Sequence, residues 1–466
     1  MKASAAIADI ADDARAAPYV LGGAWVAAFS LLVYLAVLWP RLLGFSLGFT
    51  NQTPISALTV AMFLGAVILF ASRPAVMRHY SSAGQLNVAF GLFLALLLSK
   101  YVSAYAGQDP PGSVNALNNT LAYFMSFFVI GLAMFVDPRN EENFPRILLV
   151  AGLVAACLGI YEMIRQNSLT VEFGWIFNFG GPQNLAGENL KANMYRGGLL
   201  RAKSTFTHPI VFGQFIAACL PLVFLVTPER RGKLWRWGLS FIAFGLAILS
   251  SNTRSPLAGA AVALAVYWGL GVISSGRSRR AVFVAVAGAA IALIAFLIFG
   301  EDLLGLLGGR TAEEASSSQV RSMMFERALF ALDSSPLLGY GEGRAVYVAG
   351  VFSQLGTLTI DSLYLSYLID NGYFGLGMFV LFFTYIFLVG IWASRRIQDH
   401  ARKRRLNAVI AFTFAILFGQ SVLSIQDNLV FAYLGAAYII AVAASARSRQ
   451  AFETGLVPST ATQATL

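Results

Sequence analysis

The sequence predicts an all-α polytopic membrane protein with about 12 transmembrane helices and a long helical extracytoplasmic loop. Three observations carry that expectation. The chain has 466 residues, 57% hydrophobic and only 12% charged, where globular chains carry about a quarter charged residues. Its mean hydropathy is +0.68. Apolar runs of roughly 17 to 22 residues recur along its length, enough to cross about 30 Å of hydrocarbon. The formal charge of +10 suggests nucleic acid at first sight. No basic domain or arm stands out, however, and no nucleic-acid partner is expected.

The opening segment, 1–18, is polar and carries Asp9, Asp12 and Asp13. It leads into a run about 20 residues long, which is a span rather than the 7–15-residue core of a cleavable signal. Apolar runs bounded by charged or turn-forming breaks then place spans at Tyr19–Trp39, Ile55–Ser72, Leu86–Ser99, Leu121–Val136, Ile147–Ile164 and Val211–Val226. The second half continues with Leu239–Ser250, Pro256–Ile273, Ala281–Phe299, Tyr373–Trp392, Ala408–Leu423 and Leu429–Ala444. The units expected are therefore a cytoplasmic segment 1–18, nine spans over 19–299 with an outer loop near 165–210, and an extracytoplasmic catalytic loop over 300–372. Three last spans over 373–446 and a disordered cytoplasmic tail over 447–466 follow. Cys157 and Cys219 fall inside apolar runs and read as packing residues without a disulfide framework.

Assigning alternate connections to alternate sides sorts the basic residues. One side collects Lys2 and Arg15, Arg73 and Arg78, Arg139 and Arg146, Arg230 to Arg236, Arg277 to Arg280, Arg395 to Arg405, and Arg447 and Arg449. The short connections opposite hold only Arg41, Lys100 and Arg254. The positive-inside rule then puts both termini in the cytoplasm, and the surplus charge becomes an orientation signal. The two longest connections lie outside, where loops on a rigid scaffold tend to carry function. In the second, Ser316–Leu332 reads as a helix, Pro336, Gly339, Gly341 and Gly343 as a turn-rich stretch, and another helix opens near Asp361.

Ionisable residues in mid-membrane would mark an ion pathway; Glu162, Asp370 and Asp427 all fall near outer ends of spans. What remains is a set of outer basic residues: Arg196, Arg201 and Lys203 before the sixth span, Arg254 in a tight connection, and Arg321 at the start of the loop helix. Arg321 leads a stripe of Phe325, Ala328 and Leu332 at helical spacing. A guanidinium donates paired hydrogen bonds to phosphate oxygens and stays charged at any working pH, so this set suits a lipid diphosphate. His208, directly before Pro209, is either a helix-opening residue or a base. Asp361 is either a helix N-cap or a carboxylate that orients an acceptor hydroxyl. Asp370 and Glu342 share that ambiguity. No Asp-x-Asp pair and no His/Cys spacing announces a metal, so neither metal nor other cofactor is expected.

These residues resemble the O-antigen ligase and polymerase superfamily of bacterial cell-surface polysaccharide assembly, over roughly Tyr161 to Gly377. Arg201-Ala-Lys-Ser-Thr-Phe-Thr-His-Pro209 is similar to the family's opening of a span, and Asn252-Thr-Arg-Ser255 to its Ser/Thr-Arg turn. Arg321-x3-Phe325-x2-Ala328 followed by Pro336-Leu-Leu-Gly-Tyr-Gly-Glu-Gly343 looks like its loop motif. Asp361-Ser-Leu-Tyr-Leu365, Asp370-Asn-Gly372 and Gly375 are similar to its His-Asn-x-x-Leu…Glu-x-Gly…Gly block. The ligase His-Asn pair reads Asp361-Ser362 here and the family Trp reads Phe325, which moves the expectation from ligase toward polymerase.

The resemblance implies a metal-independent glycosyltransferase of the inner membrane, active on the periplasmic face, with an undecaprenyl-diphosphate-linked glycan as donor and a second glycan as acceptor. A flippase and a chain-length regulator are implied as partners. Catalytic candidates are Asp361, Arg321, Arg254 and His208. Substrate-binding candidates are Arg201, Arg196, Lys203, Tyr364, Arg344 and Glu342. The alternatives are an O-antigen ligase that transfers glycan to lipid A-core or another acceptor, and, from another class, a twelve-helix transporter or flippase. The last would carry an internal six-plus-six repeat, which the sequence does not show.

Overall fold

A computed structural model describes residues 21–40, 45–46, 51–72, 84–170, 172, 195–196, 199–225, 234–274, 312–352 and 358–453. Of these, the side chains at 45–46, 51–52, 196, 234, 312–321 and 447–453 lie outside the description. In chain order the first elements are α1 (Gly23–Leu38), the hairpin β1–β2 (Phe45–Ser46 with Asn51–Gln52), α2 (Pro54–Ser72) and α3 (Gly84–Ala106). Next come α4 (Pro110–Thr120), which passes through a π-turn at Leu121–Met125 into α5 (Ser126–Met134), and α6 (Pro138–Arg165). The hairpin β3–β4 (Tyr195–Arg196 with Leu199–Leu200) precedes α7 (Pro209–Cys219), α8 (Leu234–Ser250) and α9 (Ser255–Ser274). The loop region holds α10 (Ala312–Leu332), α11 (Ala345–Ala349) and the hairpin β5–β6 (Val351–Phe352 with Leu358–Thr359). The chain then runs through α12 (Leu363–Arg396), α13 (His400–Gly419) and α14 (Leu429–Glu453).

Among the described residues seven helices are long and apolar enough to cross a membrane, and three shorter apolar helices accompany them. Every expected span falls on a helix except Ala281–Phe299, which lies outside the described residues. The fold is an all-α polytopic membrane architecture. Its axis is α14, whose apolar stretch is 94% buried against 28% for α2. Helices α5, α12 and α13 surround it. Tyr433 sits among Phe93, Phe382 and Phe383, and Tyr438 among Phe135 and Phe144. Without a hydrophobic drive between helices in lipid, such packing holds a bundle together, and small residues let backbones approach. A side chain at Gly435 would collide with Thr413 of α13.

Two expectations need correcting, and one boundary is refined. The third span does not stop at Ser99: α3 continues to Ala106, so Lys100 is a fully buried helical residue rather than a loop flank. A helix from Leu363 runs into the tenth span across a break at Gly372, where φ is +64°, immediately before the expected start of that span at Tyr373. The tail expected to be disordered from 447 stays helical through Glu453.

The two ends of the bundle differ in chemistry. At one end Glu141 of α6 accepts two 2.6 Å hydrogen bonds from the Arg402 guanidinium of α13, beside Ser445 of α14. Asp137 caps α6 there and accepts from the Leu21 amide at 2.8 Å. The opposite end gathers the polar loops.

Candidate functional site

Segment 201–208 is tied down by the carboxylate that ends α6. Glu162 Oε2 accepts from the amides of Lys203 at 2.9 Å and Ser204 at 2.7 Å. Its Oε1 accepts from the Leu169 amide at 2.8 Å and the Ser168 hydroxyl at 3.2 Å. The Ala202 amide bonds the Ser250 carbonyl at the end of α8, 2.9 Å, and the Thr205 hydroxyl bonds the Val37 carbonyl of α1, 2.6 Å. Thr207 donates to Asp427. The segment ends on His208, whose Nδ1 accepts from the Ile210 amide at 3.1 Å and so caps α7. Burial, reinforced by Arg201 and Lys203 nearby, pushes the His208 imidazole down to about 3, so it is neutral at physiological pH. Burial also lowers the Lys203 ammonium, against the pull of Glu162.

Arg254 stands in the turn between α8 and α9, where Asn252 takes φ +45° and the hydroxyls of Ser251 and Thr253 lie 2.7 Å apart. This turn presses on α7: a Cβ at Gly213 would meet Pro256 and Ser251. The connection between α13 and α14 joins the same end. Gln214 Nε2 donates to the Gly419 carbonyl at 2.8 Å, and Asn428 Nδ2 to the Val211 carbonyl at 2.9 Å. The Gln420 carbonyl then accepts from the Leu363 amide at 3.0 Å, which fixes the start of α12 beside it. Arg201, Lys203, His208, Arg254 and Asp361 therefore ride on loops that meet at one end of the bundle.

Asp361 lines a cavity of about 370 Å³, walled by Met324, Phe325, Ser362, Tyr364, Leu365, Leu368, Leu376 and Ser421. Ser362 caps α12, its hydroxyl accepting from the Leu365 amide at 3.4 Å. Asp361 is thus not the cap; its Oδ1 accepts from the Thr359 hydroxyl at 3.1 Å. Tyr364 contributes to the wall while its hydroxyl donates to the Leu417 carbonyl at 2.9 Å. On α10 the buried face is Met324, Ala328, Ala331 and Leu332, and Phe325 is 54% exposed on the cavity. Ala328 and Leu332 of the expected stripe are buried, but Met324 takes the buried position expected for Phe325. The backbone at Arg321 lies one turn before Met324 and Phe325, and Arg196 lies on β3. Both side chains are outside the described residues.

Glu342 and Arg344, expected as substrate contacts, are engaged otherwise. Glu342, 5% exposed, receives Lys100 Nζ at 2.7 Å, Asn371 Nδ2 at 3.2 Å and the Thr120 hydroxyl at 3.3 Å. Arg344 forms an ion pair with Asp109 at the start of α4. Both belong to a loop that docks on the break in α12. There the Ile369 and Asp370 carbonyls lack helical partners and accept from the amides of Tyr340 and Gly341, 2.9 Å each. The Tyr373 amide donates in turn to the Pro336 carbonyl at 2.8 Å. Asp370 receives the amides of Gly343 at 3.0 Å and Ala345 at 2.5 Å. The contact is too close for side chains. Gly339 has φ +69° and a Cβ there would strike the Ile369 carbonyl, while one on Gly372 would strike Leu337.

Glu162, Asp427 and Ser421 were not among the expected site residues. A lone carboxylate in the last turn of an apolar helix was the available signal for Glu162.

Residues 239–380 match the O-antigen ligase family model. That match supports the resemblance to the O-antigen ligase and polymerase superfamily over this segment. It spans Arg254, Arg321, the glycine loop, Asp361 and Tyr364, while Arg201, Lys203 and His208 lie before it. A comparison with curated proteins finds no match. The match supports an activity of the ligase or polymerase type, which moves a glycan. The site combines cationic side chains, a carboxylate and an apolar-walled cavity.

Proposed function

We propose that the protein polymerises undecaprenyl-diphosphate-linked oligosaccharide repeat units into exopolysaccharide or O-antigen, on the periplasmic face of the bacterial inner membrane with both termini cytoplasmic. One observation supports this above the others: the segments bearing Arg201, Lys203 and Arg254 converge on the bundle end that also presents the Asp361 cavity.

In this reading Arg201, Arg254 and Arg321 hold the donor diphosphate and neutralise the charge that grows as it leaves. An acceptor sugar hydroxyl attacks the anomeric carbon. The bond from that carbon to the diphosphate oxygen breaks, and the proton passes to the Asp361 carboxylate. His208, neutral and committed through Nδ1 to its helix, keeps only Nε2 for an acceptor hydroxyl. No step needs a metal. Two lipid-held substrates meet by diffusing in two dimensions, and docking supplies the orientation.

The family description favours a second reading, transfer of finished glycan to lipid A-core; Asp361-Ser362 in place of His-Asn favours polymerisation. Deleting the gene separates them. Single lipid-linked repeat units accumulate if polymerisation is lost, whereas long lipid-linked chains accumulate if ligation is lost. In the complemented strain Arg254→Ala and Arg321→Ala should abolish the polymer ladder at unchanged expression. Unchanged ladders would refute the assignment.

A further inference from the structure

A second cavity lies at the opposite end of the bundle from the candidate site. It measures about 880 Å³ and is walled by Phe224, Tyr267 and Trp268 on one side and by His400, Lys403 and Arg404 on the other, with Asn407 deeper in. Helix α13 links the two ends. Its 20 residues span about 30 Å, with Gly419 at the site end and His400 here.

The first turns of α13 carry four consecutive cations, Arg402 to Arg405, and the structure divides them. Arg402 is paired with Glu141 at 2.6 Å and Arg405 with Glu142 at 3.6 Å, so these two bind α13 to α6. Lys403 and Arg404 instead line the cavity, and among the described residues no carboxylate lies within 4.0 Å of either. Asp399, the nearest acid in sequence, caps the helix on the Ala401 amide at 2.8 Å and lies in the field of Arg405 and Arg402. Asn407 is 4% exposed; its Oδ1 accepts from the Ser394 hydroxyl at 2.5 Å, which leaves the amide nitrogen as a donor. The facing wall is aromatic. Phe224 stacks on Tyr267 with centroids 4.8 Å apart, Trp268 meets Phe224 edge-on at 6.0 Å, and Trp268 is 62% exposed.

We propose that this cavity binds the headgroup of an anionic phospholipid. Lys403, Arg404 and the Asn407 amide would hold the phosphate, and the Phe224–Tyr267–Trp268 wall would cover the glycerol and upper acyl carbons. The volume suits this occupant, since small-molecule sites measure about 300–1,000 Å³ and a bare phosphate would leave most of the space empty. Two cations without carboxylate partners among the described residues, beside an exposed indole where apolar helices end, match a phosphate at the boundary of hydrocarbon and water. This site is independent of the glycan-transfer reading.

The test uses the purified full chain, stripped of lipid in detergent, with thermal stability and native mass spectra recorded against added phosphatidylglycerol, phosphatidylcholine or glycerol 3-phosphate. Phosphatidylglycerol should bind and stabilise, and the other two should not. The double variant Lys403→Gln/Arg404→Gln should bind phosphatidylglycerol about 30-fold more weakly, at roughly 1 kcal/mol per cation near a phosphate. Should that variant fold poorly, the wild type still decides: raising salt must weaken phosphatidylglycerol binding selectively. Equal response to phosphatidylcholine, equal response to glycerol 3-phosphate, salt-insensitive binding, or undiminished binding by a folded double variant would each overturn the proposal.

Discussion

Replacing Lys100 with Met removes the ammonium that meets Glu342 at 2.7 Å while keeping the aliphatic stem that packs in α3. Lys100 is 0% and Glu342 5% exposed, so the pair is out of water. Deleting one partner of a buried pair costs about 3–5 kcal/mol, because the other charge stays buried without compensation. Here Glu342 keeps Thr120 at 3.3 Å and Asn371 at 3.2 Å, and a neutral hydrogen bond contributes only about 1 kcal/mol net. Asp370, whose backbone and side chain anchor the same loop, adds a second carboxylate to the neighbourhood. We expect a loss near 3 kcal/mol, with the 336–345 loop released from the α12 break and glycan transfer reduced as the Asp361 cavity loosens. Unfolding titrations in one detergent would compare Lys100→Met, Glu342→Gln and the double variant. The double variant should recover about 1.5–3 kcal/mol relative to the sum of the singles. Losses that add within about 0.5 kcal/mol would show that the two side chains are not energetically coupled.

Further outcomes follow from the same geometry. Gly372→Ala places a side chain at φ +64° against Leu337; strain alone costs about 1–3 kcal/mol, and limited proteolysis should cut the glycine loop sooner than in wild type. Glu162→Ala strands the donors of Lys203, Ser204, Leu169 and Ser168, at about 1–3 kcal/mol for each donor left buried. Transfer should fall sharply, with Glu162→Gln restoring part of it. His208 is held at about 3 against an ordinary 6.5, so the unfolded chain binds its proton first as pH falls. Its contribution to stability is complete above 6.5 and declines toward 3, by about 1.4 kcal/mol per pH unit. Thermal unfolding at pH 7.5 and 5.5 should show a smaller acid loss in His208→Asn, which keeps an N-cap.

The spans were legible because the signal is local: an apolar run is a helix length. Lys100 was not. A charge after an apolar run reads as its boundary, and the partner that lets it stay inside lies 242 residues away. The buried pairing of Glu342 was hidden for the same reason, since a carboxylate in a glycine-rich outer loop gives no sign that the loop docks into the bundle. The glycines themselves announced a turn, yet only the break at Gly372 explains their positive φ. His208 before Pro209 was readable as a helix opening, whereas the role of Asp361 was not, because the helix begins one residue later and Ser362 takes the cap. Phe325 follows helical spacing from Arg321 but belongs to the exposed flank, because the buried face runs through Met324 and Ala328.

The most direct measurement is transfer by the purified protein given a defined undecaprenyl-diphosphate-linked repeat unit in a chelator-treated buffer, with products resolved by length. Wild type should convert single units into a ladder, Asp361→Asn should slow the conversion at least about 100-fold as a lost proton acceptor, and Arg254→Ala should do likewise while the protein stays folded. A ladder made equally well by both variants, or glycan transferred only to lipid A-core with no ladder formed, would contradict the account.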